Sequence, residues 1–200
     1  MRIAVFDTET TGLPYHPSVS LDKQPRIIEF AARIITESGP TNETLDFICN
    51  PFRELEPIIT KITGLNQEDV NSEPPIGEFM DDIQAFFNGA DGLVAHNLPF
   101  DTTLLWLEVL RAGREEEWQW PCIHVCSAQT YLPYFGSRPK LIKLYEHFTG
   151  KKYAQTHRAL DDVDALCEAI HQSGLLHEIK SISATKNQNR VYLSKDIRAD

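Results

Sequence analysis

Three apolar runs in the first fifty residues constrain the fold of this chain more than any other feature. They span Ile3 to Phe6, Arg26 to Thr36 and Thr44 to Asn50, and turn-forming residues separate them. Too few residues lie between the second and third runs for a helix, which predicts that these strands are antiparallel neighbours. Two later runs, Gly92 to Ala95 and Ile123 to Cys126, are short and apolar, as is typical of buried strands.

Helical patterns occupy much of the remaining chain. We predict helices at Ile58 to Leu65, Ile76 to Asn88, Asn97 to Arg111, Ala128 to Leu132, Leu141 to Thr149 and Ala159 to Gly174. Strands first, then strands alternating with helices, predict an α/β domain with a mixed five-stranded sheet covered by helices. We assign residues 1–183 to this domain and residues 184–200 to a polar C-terminal tail or edge element, which could also dock a partner.

Composition narrows the class of protein. The 42% apolar fraction suits one globular domain, and no apolar run approaches the roughly 20 residues of a membrane-spanning helix. The N-terminus lacks the pattern of a secretion signal, so we expect a cytoplasmic protein without a membrane partner. The four cysteines are few and dispersed, which predicts reduced thiols, and the Cys122 to Cys126 segment has no matching pair downstream to complete a zinc site.

Two acids close the first apolar run. Asp7 and Glu9 are separated by one residue, and alternate side chains of a strand share a face, so both carboxylates project together at the end of that strand. A third acid, Asp101, lies about one turn beyond a predicted helix cap at Asn97, on the helix side that also carries Leu98 and Leu104. A carboxylate on an apolar face is costly unless it is paired or binds a metal, although a structural cap is the alternative role.

A fourth acid can be selected by helical phase. Three aspartates crowd the start of the last predicted helix, and at 100° per residue Asp161 and Asp164 fall opposite the apolar stripe, whereas Asp162 flanks it. We therefore predict that Asp162 reaches the interior and that the other two are solvated. His157 precedes this helix in a loop, a suitable place for a base, although an isolated histidine in a loop is more often only exposed.

Three segments carry these residues in a recognisable order. They read Asp-Thr-Glu-Thr-Thr-Gly at Asp7 to Gly12, His-Asn-x-x-Phe-Asp at His96 to Asp101, and His-x-Ala-x-x-Asp at His157 to Asp162. They resemble the three exonuclease motifs of the DEDDh family, which includes the proofreading subunit of bacterial replicative DNA polymerases and ribonuclease T. The likeness spans about Ile3 to Ile170, and three motifs in register are far more specific than one.

The resemblance implies a ribonuclease H-like fold and hydrolysis of nucleic acid from its 3′ end to nucleoside 5′-monophosphates. Two divalent cations, Mg²⁺ or Mn²⁺, would be held by Asp7, Glu9, Asp101 and Asp162, and His157 would accept the proton of the attacking water. The same resemblance implies substrate contacts, with Leu13 as a wedge, from Thr8, Thr10, Thr11, Gly12, Leu13, Ile62, Thr63 and Asn97.

DNA is the expected substrate, and a DNA polymerase is a candidate partner if the role is proofreading. An RNA-trimming exonuclease on the same scaffold is the first alternative, and a non-catalytic nucleic-acid-binding module is the second. The net charge of −10 is unusual for a polyanion binder. Within the stretch from Arg138 to Arg158, however, six cations face Glu146 alone, which favours a phosphate-binding surface there; a solvated helix and loop is the alternative.

Two departures from the family pattern concern specificity. Leu141 to Leu144 carries apolar and basic residues where the family often has a polar or acidic one, and the segment around Trp118 and Trp120 has no obvious counterpart. These tryptophans could stack on bases, but packing in the core is the more frequent role of such residues.

Overall fold

A computed structural model describes residues 1–154, 156–185 and 191–192 of the chain. Its strands are β1 (Arg2–Thr10), β2 (Ile27–Thr36), β3 (Gly39–Ile48), β4 (Gly92–Ala95), β5 (Ile123–Cys126) and β6 (Val191–Tyr192). Its helices are α1 (Pro57–Thr63), α2 (Gln67–Asn71), α3 (Met80–Asn88), α4 (Leu98–Arg111), α5 (Ser127–Thr130), α6 (Leu132–Phe135), α7 (Leu141–Thr149), α8 (Ala159–Ser173) and α9 (Leu175–Thr185), and a 3-10 helix spans Ile76–Phe79.

The strands form one mixed sheet in the order β3-β2-β1-β4-β5-β6. Strand β2 is antiparallel to both β1 and β3, as the short β2–β3 connection predicted, whereas β4, β5 and β6 continue the sheet in parallel. The predicted mixed five-stranded sheet is therefore confirmed, and the two residues of β6 add a short strand at its edge. That strand comes from the segment 184–200, whose separation from the domain stays a prediction.

Alternating side chains of β1 divide the core between two faces of the sheet. Ala4 and Phe6 pack with residues of α3 and α4, while Ile3 and Val5 pack with residues of α7, α8 and α9. Helices thus cover both faces, which explains why β1 and β2 are apolar on both sides. Odd-numbered residues of β1 face α8, and this parity decides where its two acids point.

Close strand packing requires a glycine at the start of β4. A Cβ atom added to Gly92 would lie 2.5 Å from Cβ of Ile123 in β5, closer than two carbon atoms can approach. The glycine therefore permits the β4–β5 pairing that sets the position of the following helix, α4.

Several elements differ from the sequence-based prediction. Helices α2, α6 and α9 were not predicted, β1 continues through both acids to Thr10, and β3 begins earlier, at Gly39. Helix α2 is only five residues long and is fixed by a capping box between Asn66 and Asp69, so apolar periodicity could not reveal it. Within the described residues, no helix is both long and apolar enough to cross a membrane.

Candidate active site

The site begins with two carboxylates near the end of β1. Asp7 and Glu9 lie at odd positions, so they share the α8 face with Val5, as the alternation of a strand predicted. Both are partly buried. Strand β2 runs alongside in antiparallel register and places Glu29 directly opposite Glu9. A third carboxylate therefore lies beside the predicted pair.

Helix α4 brings Asp101 to the same end of the sheet. Asp101 lies in the first turn of the helix and is 2% exposed. Its Oδ1 accepts hydrogen bonds from the backbone N–H of Thr8, at 3.1 Å, and from the Thr8 hydroxyl, at 2.9 Å. These bonds join the first and second sequence motifs, and the position at a helix N-terminus favours a negative charge. Asp101 is thus a buried carboxylate at the site rather than a cap of its own helix.

Helix α8 supplies the remaining acid. Asp162 is 5% exposed in the first turn of α8, whereas Asp161 and Asp164 are exposed, as helical phase predicted. Both exposed acids also form surface contacts, Asp161 with the Thr156 hydroxyl and Asp164 with Arg33.

One histidine meets two of these carboxylates. A ring nitrogen of His157 and carboxylate oxygens of Glu9 and Asp162 all lie within 4.8 Å of one another. The backbone of His157 has φ of 54°, in the left-handed region that residues other than glycine seldom adopt. The third motif therefore brings both its histidine and its last aspartate to the end of β1.

Charge is concentrated strongly at this site. Burial, followed by repulsion from Asp101 and Glu9, raises the pKa of Asp7 well above its usual value. Burial, with repulsion from Asp162 and Glu29, raises the pKa of Glu9 to about 8, although Arg158 opposes this shift. Burial also raises the pKa of Asp101 to about 7, against the effect of its hydrogen bonds from Thr8. The cluster thus holds more negative charge than its surroundings stabilise.

This donor set fits divalent cations. Carboxylate oxygens are the ligands that Mg²⁺ and Mn²⁺ prefer, and Glu9, His157 and Asp162 are close enough to hold one ion. Burial and repulsion between the carboxylates raise the pKa values of Asp7 and Glu9. A cation bound among these carboxylates would offset that repulsion. The site can therefore bind divalent metal ions.

The segment after β1 presents both buried and exposed groups. Thr8 and Thr10 are buried, and the Thr10 hydroxyl donates to the Gly12 carbonyl at 2.8 Å. Gly12 has φ of 154°, and Thr11 binds the backbone of Arg26 through both its N–H and its hydroxyl. These bonds fold the turn tightly, and the side chain that follows it, Leu13, is 74% exposed. An exposed leucine beside the acids suits the predicted wedge.

Helix α1 contributes an apolar side chain but not a free hydroxyl. Ile62 is 44% exposed, whereas Thr63 is 2% exposed and its hydroxyl donates to the Ile59 carbonyl. The structure therefore presents Ile62 as a surface contact and places the Thr63 side chain inside the protein. Their predicted roles in substrate binding stay predictions.

Asn97 lies at the start of α4, as predicted, but its side chain does not cap the helix. Its Oδ1 instead accepts a hydrogen bond from Arg138 at 3.1 Å, and Nε2 of the neighbouring His96 lies 2.9 Å from the Pro139 carbonyl. Burial lowers the pKa of His96, and the bond to Pro139 joins this histidine to the loop before α7. Asn97 is therefore held toward an arginine, not toward its own helix.

The predicted basic stretch is less positive than its sequence indicates. Lys151 binds Glu168 at 2.5 Å, Lys152 lies 3.6 Å from Glu146, and Arg158 pairs with Glu29. Across the part of the chain that the structure describes, the cations of this stretch without such an ion pair are Arg138, Lys140 and Lys143. Acids outside the stretch therefore pair with two of its six cations, and the phosphate-binding surface stays a prediction.

The tryptophan pair belongs to the core. Trp118 is 9% exposed and contacts Trp120 edge to face, with ring centroids 5.5 Å apart, and both rings lie against Phe87. Packing was the predicted alternative to base stacking.

The four cysteines are free thiols, of which Cys122 alone is exposed.

Sequence analysis missed three residues beside the site: Glu29, Arg158 and Tyr153. Glu29 is an acid within an apolar strand, and the rule that drew attention to Asp101 applied to it equally. Tyr153 donates a hydrogen bond to Oδ1 of Asp162 at 2.5 Å, and burial raises the pKa of its phenol. No periodicity marks Tyr153, because it lies in the irregular segment before α8.

The chain is similar in sequence to known nucleases and polymerases. The profile of the RNase_T family, described as Exonuclease, matches residues 4–170. The PolC-type DNA polymerase III of Clostridium perfringens (strain 13 / Type A) is 29% identical over 191 residues, covering 95% of this chain and 12% of that protein. The 3'-5' exonuclease DinG of Bacillus subtilis (strain 168) is 29% identical over 167 residues, covering 82% of this chain and 16% of its own length. The chain thus spans a small part of these curated relatives.

Solved structures share the fold. Exonuclease X in complex with 5' overhanging duplex DNA superposes with a TM-score of 0.61 at 18% identity, covering 94% of this chain and 96% of the other. The nuclease domain of 3'hExo, a DEDDh family member bound to rAMP, gives a TM-score of 0.66 at 16% identity, covering 88% and 94%. The predicted α/β, ribonuclease H-like fold is thereby confirmed. Since the family profile also spans all three motifs, the chain belongs to the RNase_T exonuclease family, as its resemblance to DEDDh exonucleases predicted.

Proposed function

We propose that this protein is a metal-dependent 3'-5' exonuclease that hydrolyses DNA to nucleoside 5′-monophosphates. One observation carries the proposal: Glu9, His157 and Asp162 lie within 4.8 Å of one another, beside Asp7 and the buried Asp101. A family member without catalysis would have no need to hold four carboxylates together against their mutual repulsion.

The residues take distinct roles in this proposal. Asp7, Glu9, Asp101 and Asp162 hold two divalent cations, either Mg²⁺ or Mn²⁺. Such a pair of ions stabilises the attacking and leaving oxygens of an in-line displacement at phosphorus.

His157 accepts the proton from the attacking water and releases it to solvent when turnover is complete. Its neighbours Glu9 and Asp162 are both carboxylates, so the protonated imidazolium is stabilised where it forms. The exposed side chain of Leu13, together with Ile62, packs against the terminal base and so selects a chain end.

DNA is favoured as substrate by the relatives. One is a PolC-type DNA polymerase III, and one solved structure of the same fold is bound to duplex DNA. A role in proofreading, with a DNA polymerase as partner, follows from the same relatives. The alternative of an RNA-trimming enzyme is favoured by the neighbour bound to rAMP.

A single assay tests activity and sugar preference. End-labelled DNA and RNA of identical sequence, each with a 3′ overhang, are incubated with Mg²⁺ or Mn²⁺, and the released products are separated. We expect 5′-monophosphates from the 3′ end, faster from DNA, and none with Asp7→Ala. Faster release from RNA would assign the protein to RNA trimming, and no release from either strand would favour a non-catalytic binding module.

A further inference from the structure

Glu29 is a buried acid that the proposed reaction does not use. It is 5% exposed in β2, directly opposite Glu9 in the antiparallel pair. A carboxylate at such a depth needs partners, and a second negative charge so near the acids of the site works against their ionisation. The contacts of Glu29 must therefore offset the cost of burying its charge beside these acids.

Among the described residues, the hydrogen-bond partners of Glu29 belong to the segment that follows His157. Its Oε1 accepts hydrogen bonds from Nε of Arg158 at 2.9 Å and from a terminal guanidinium nitrogen at 2.7 Å. Its Oε2 accepts the backbone N–H of Ala159 at 3.2 Å. Two adjacent residues are thus fastened to a strand about 130 positions away in the sequence.

Glu29 also caps the N-terminus of helix α8. Arg158 occupies the N-cap position of α8, and no side chain there caps the helix. The Ala159 N–H would otherwise be one of the unpaired donors of a helix start. A carboxylate from β2 accepts it and lies at the positive end of the helix dipole. The first turn of α8, which carries Asp162, is therefore fixed to the sheet by Glu29.

The fastened segment sets the position of His157. The left-handed backbone of His157, with φ of 54°, is sparsely populated and persists only where surrounding contacts hold it. The contacts immediately after it are those of Arg158 and Ala159 with Glu29. They add to a weaker local bond across His157, from the Arg158 backbone N–H to the Thr156 hydroxyl at 3.4 Å, and both sets of contacts support the conformation that turns the imidazole toward Glu9.

We propose that Glu29 and Arg158 are positioning residues whose ion pair holds His157, and the first turn of α8, in the arrangement needed for catalysis. This inference rests on the proposed exonuclease function. The competing role is a direct one for Arg158, whose side chain is 43% exposed and could bind a substrate phosphate.

The chain contains a matched control. Arg33, also in β2, binds Asp164, also in α8, through Nε at 2.6 Å, so it forms a second ion pair between the same two elements. That pair does not involve the residues on either side of His157. Replacing Arg33 therefore tests whether any loss of β2–α8 pairing is enough to affect turnover.

Steady-state kinetics on an end-labelled DNA strand compare Glu29→Gln, Arg158→Gln, Arg158→Lys and Arg33→Gln. We expect kcat to fall about 10- to 100-fold in the two glutamine variants at the site, the range typical of groups that orient a catalytic residue, with KM changed less than about threefold. The Glu29→Gln/Arg158→Gln double variant should lose no more than either single variant. Arg158→Lys should recover part of kcat, and Arg33→Gln should stay within about twofold of the parent.

A second readout is independent of activity. The carbon-bound proton resonances of the imidazole of His157, assigned among seven histidines by comparison with His157→Ala, should shift or broaden in Glu29→Gln and stay unchanged in Arg33→Gln. In the kinetics, a raised KM in Arg158→Gln alone would show that Arg158 binds substrate instead. In the spectra, an unchanged His157 resonance in Glu29→Gln would overturn the inference. If the parent cleaves no strand, the proposed function fails, yet the resonance still decides whether Glu29 positions His157.

Discussion

Replacing Glu9 by glutamine should stabilise the metal-free protein at alkaline pH while abolishing its activity. The Glu9 carboxyl has a pKa of about 8 in the folded chain, compared with an ordinary value of 4.5. Between these values the folded chain retains a proton that the unfolded chain has lost, so the free energy of unfolding falls as pH rises. Glutamine does not titrate, so the free energy of unfolding of Glu9→Gln lacks the part of the pH dependence that Glu9 causes.

The expected magnitude follows from the same two values. The separation between 4.5 and about 8, at about 1.36 kcal/mol per pKa unit, corresponds to about 4 kcal/mol at pH 8, where the folded carboxyl is half ionised. For a domain of this size, each kcal/mol shifts the melting temperature by about 2 to 4 °C. Glu9→Gln should therefore melt at least about 8 °C above the parent at pH 8, and near the parent at pH 4.5.

Thermal unfolding by circular dichroism, in buffer with a chelator, measures both proteins from pH 4.5 to 8.5. Addition of Mn²⁺ at pH 8 should then raise the melting temperature of the parent more than that of Glu9→Gln. The bound ion offsets the negative charge of the Glu9 carboxylate, which the variant lacks. Equal melting temperatures at pH 8 without metal would refute the argument that burial and repulsion make the Glu9 charge costly. A larger Mn²⁺ effect in the variant would remove Glu9 from the metal ligands.

Substitutions at three further positions, two of them with a control variant, test the site and the basic stretch. Asp162→Asn should lower kcat at least about 100-fold and the exposed Asp161→Asn less than about threefold; equal losses in the nuclease assay would contradict the assignment by helical phase. His157→Ala should lower kcat about 10²- to 10⁴-fold with divalent-ion affinity largely retained by calorimetry, and abolished affinity would make His157 a ligand. Lys143→Gln should reduce the slope of the logarithm of DNA affinity against the logarithm of salt concentration by about one. Lys180→Gln, which removes a lysine paired with Glu37, should leave this slope unchanged.

Local chemistry was sufficient to predict the acids of the site. Asp7 and Glu9 share a face because a strand alternates, and Asp162 was separated from Asp161 and Asp164 by helical phase alone. Both arguments depend only on neighbours in the sequence. The apolar runs of β1 and β2, buried on both faces, and the apolar stripes of α4, α7 and α8 were predictable for the same reason.

Contacts between distant elements were not predictable in this way. The position of Glu29 opposite Glu9 depends on the register of β1 and β2, which shifts at a bulge between Glu9 and Thr10. The pairing of Lys151 with Glu168 likewise requires α7 and α8 to be packed together, and counting charges along the chain could not show it. Sequence patterns thus predicted the acids on β1 and α8, and only the fold showed which residues lie beside them.

Strand β1 lies inside the sheet, and more than a hundred residues separate it along the chain from helix α8. A nascent polypeptide leaving the ribosome therefore exposes Asp7 and Glu9 long before Asp162 and His157 have been synthesised. No truncated translation product ending before α8 could assemble the four-carboxylate cluster.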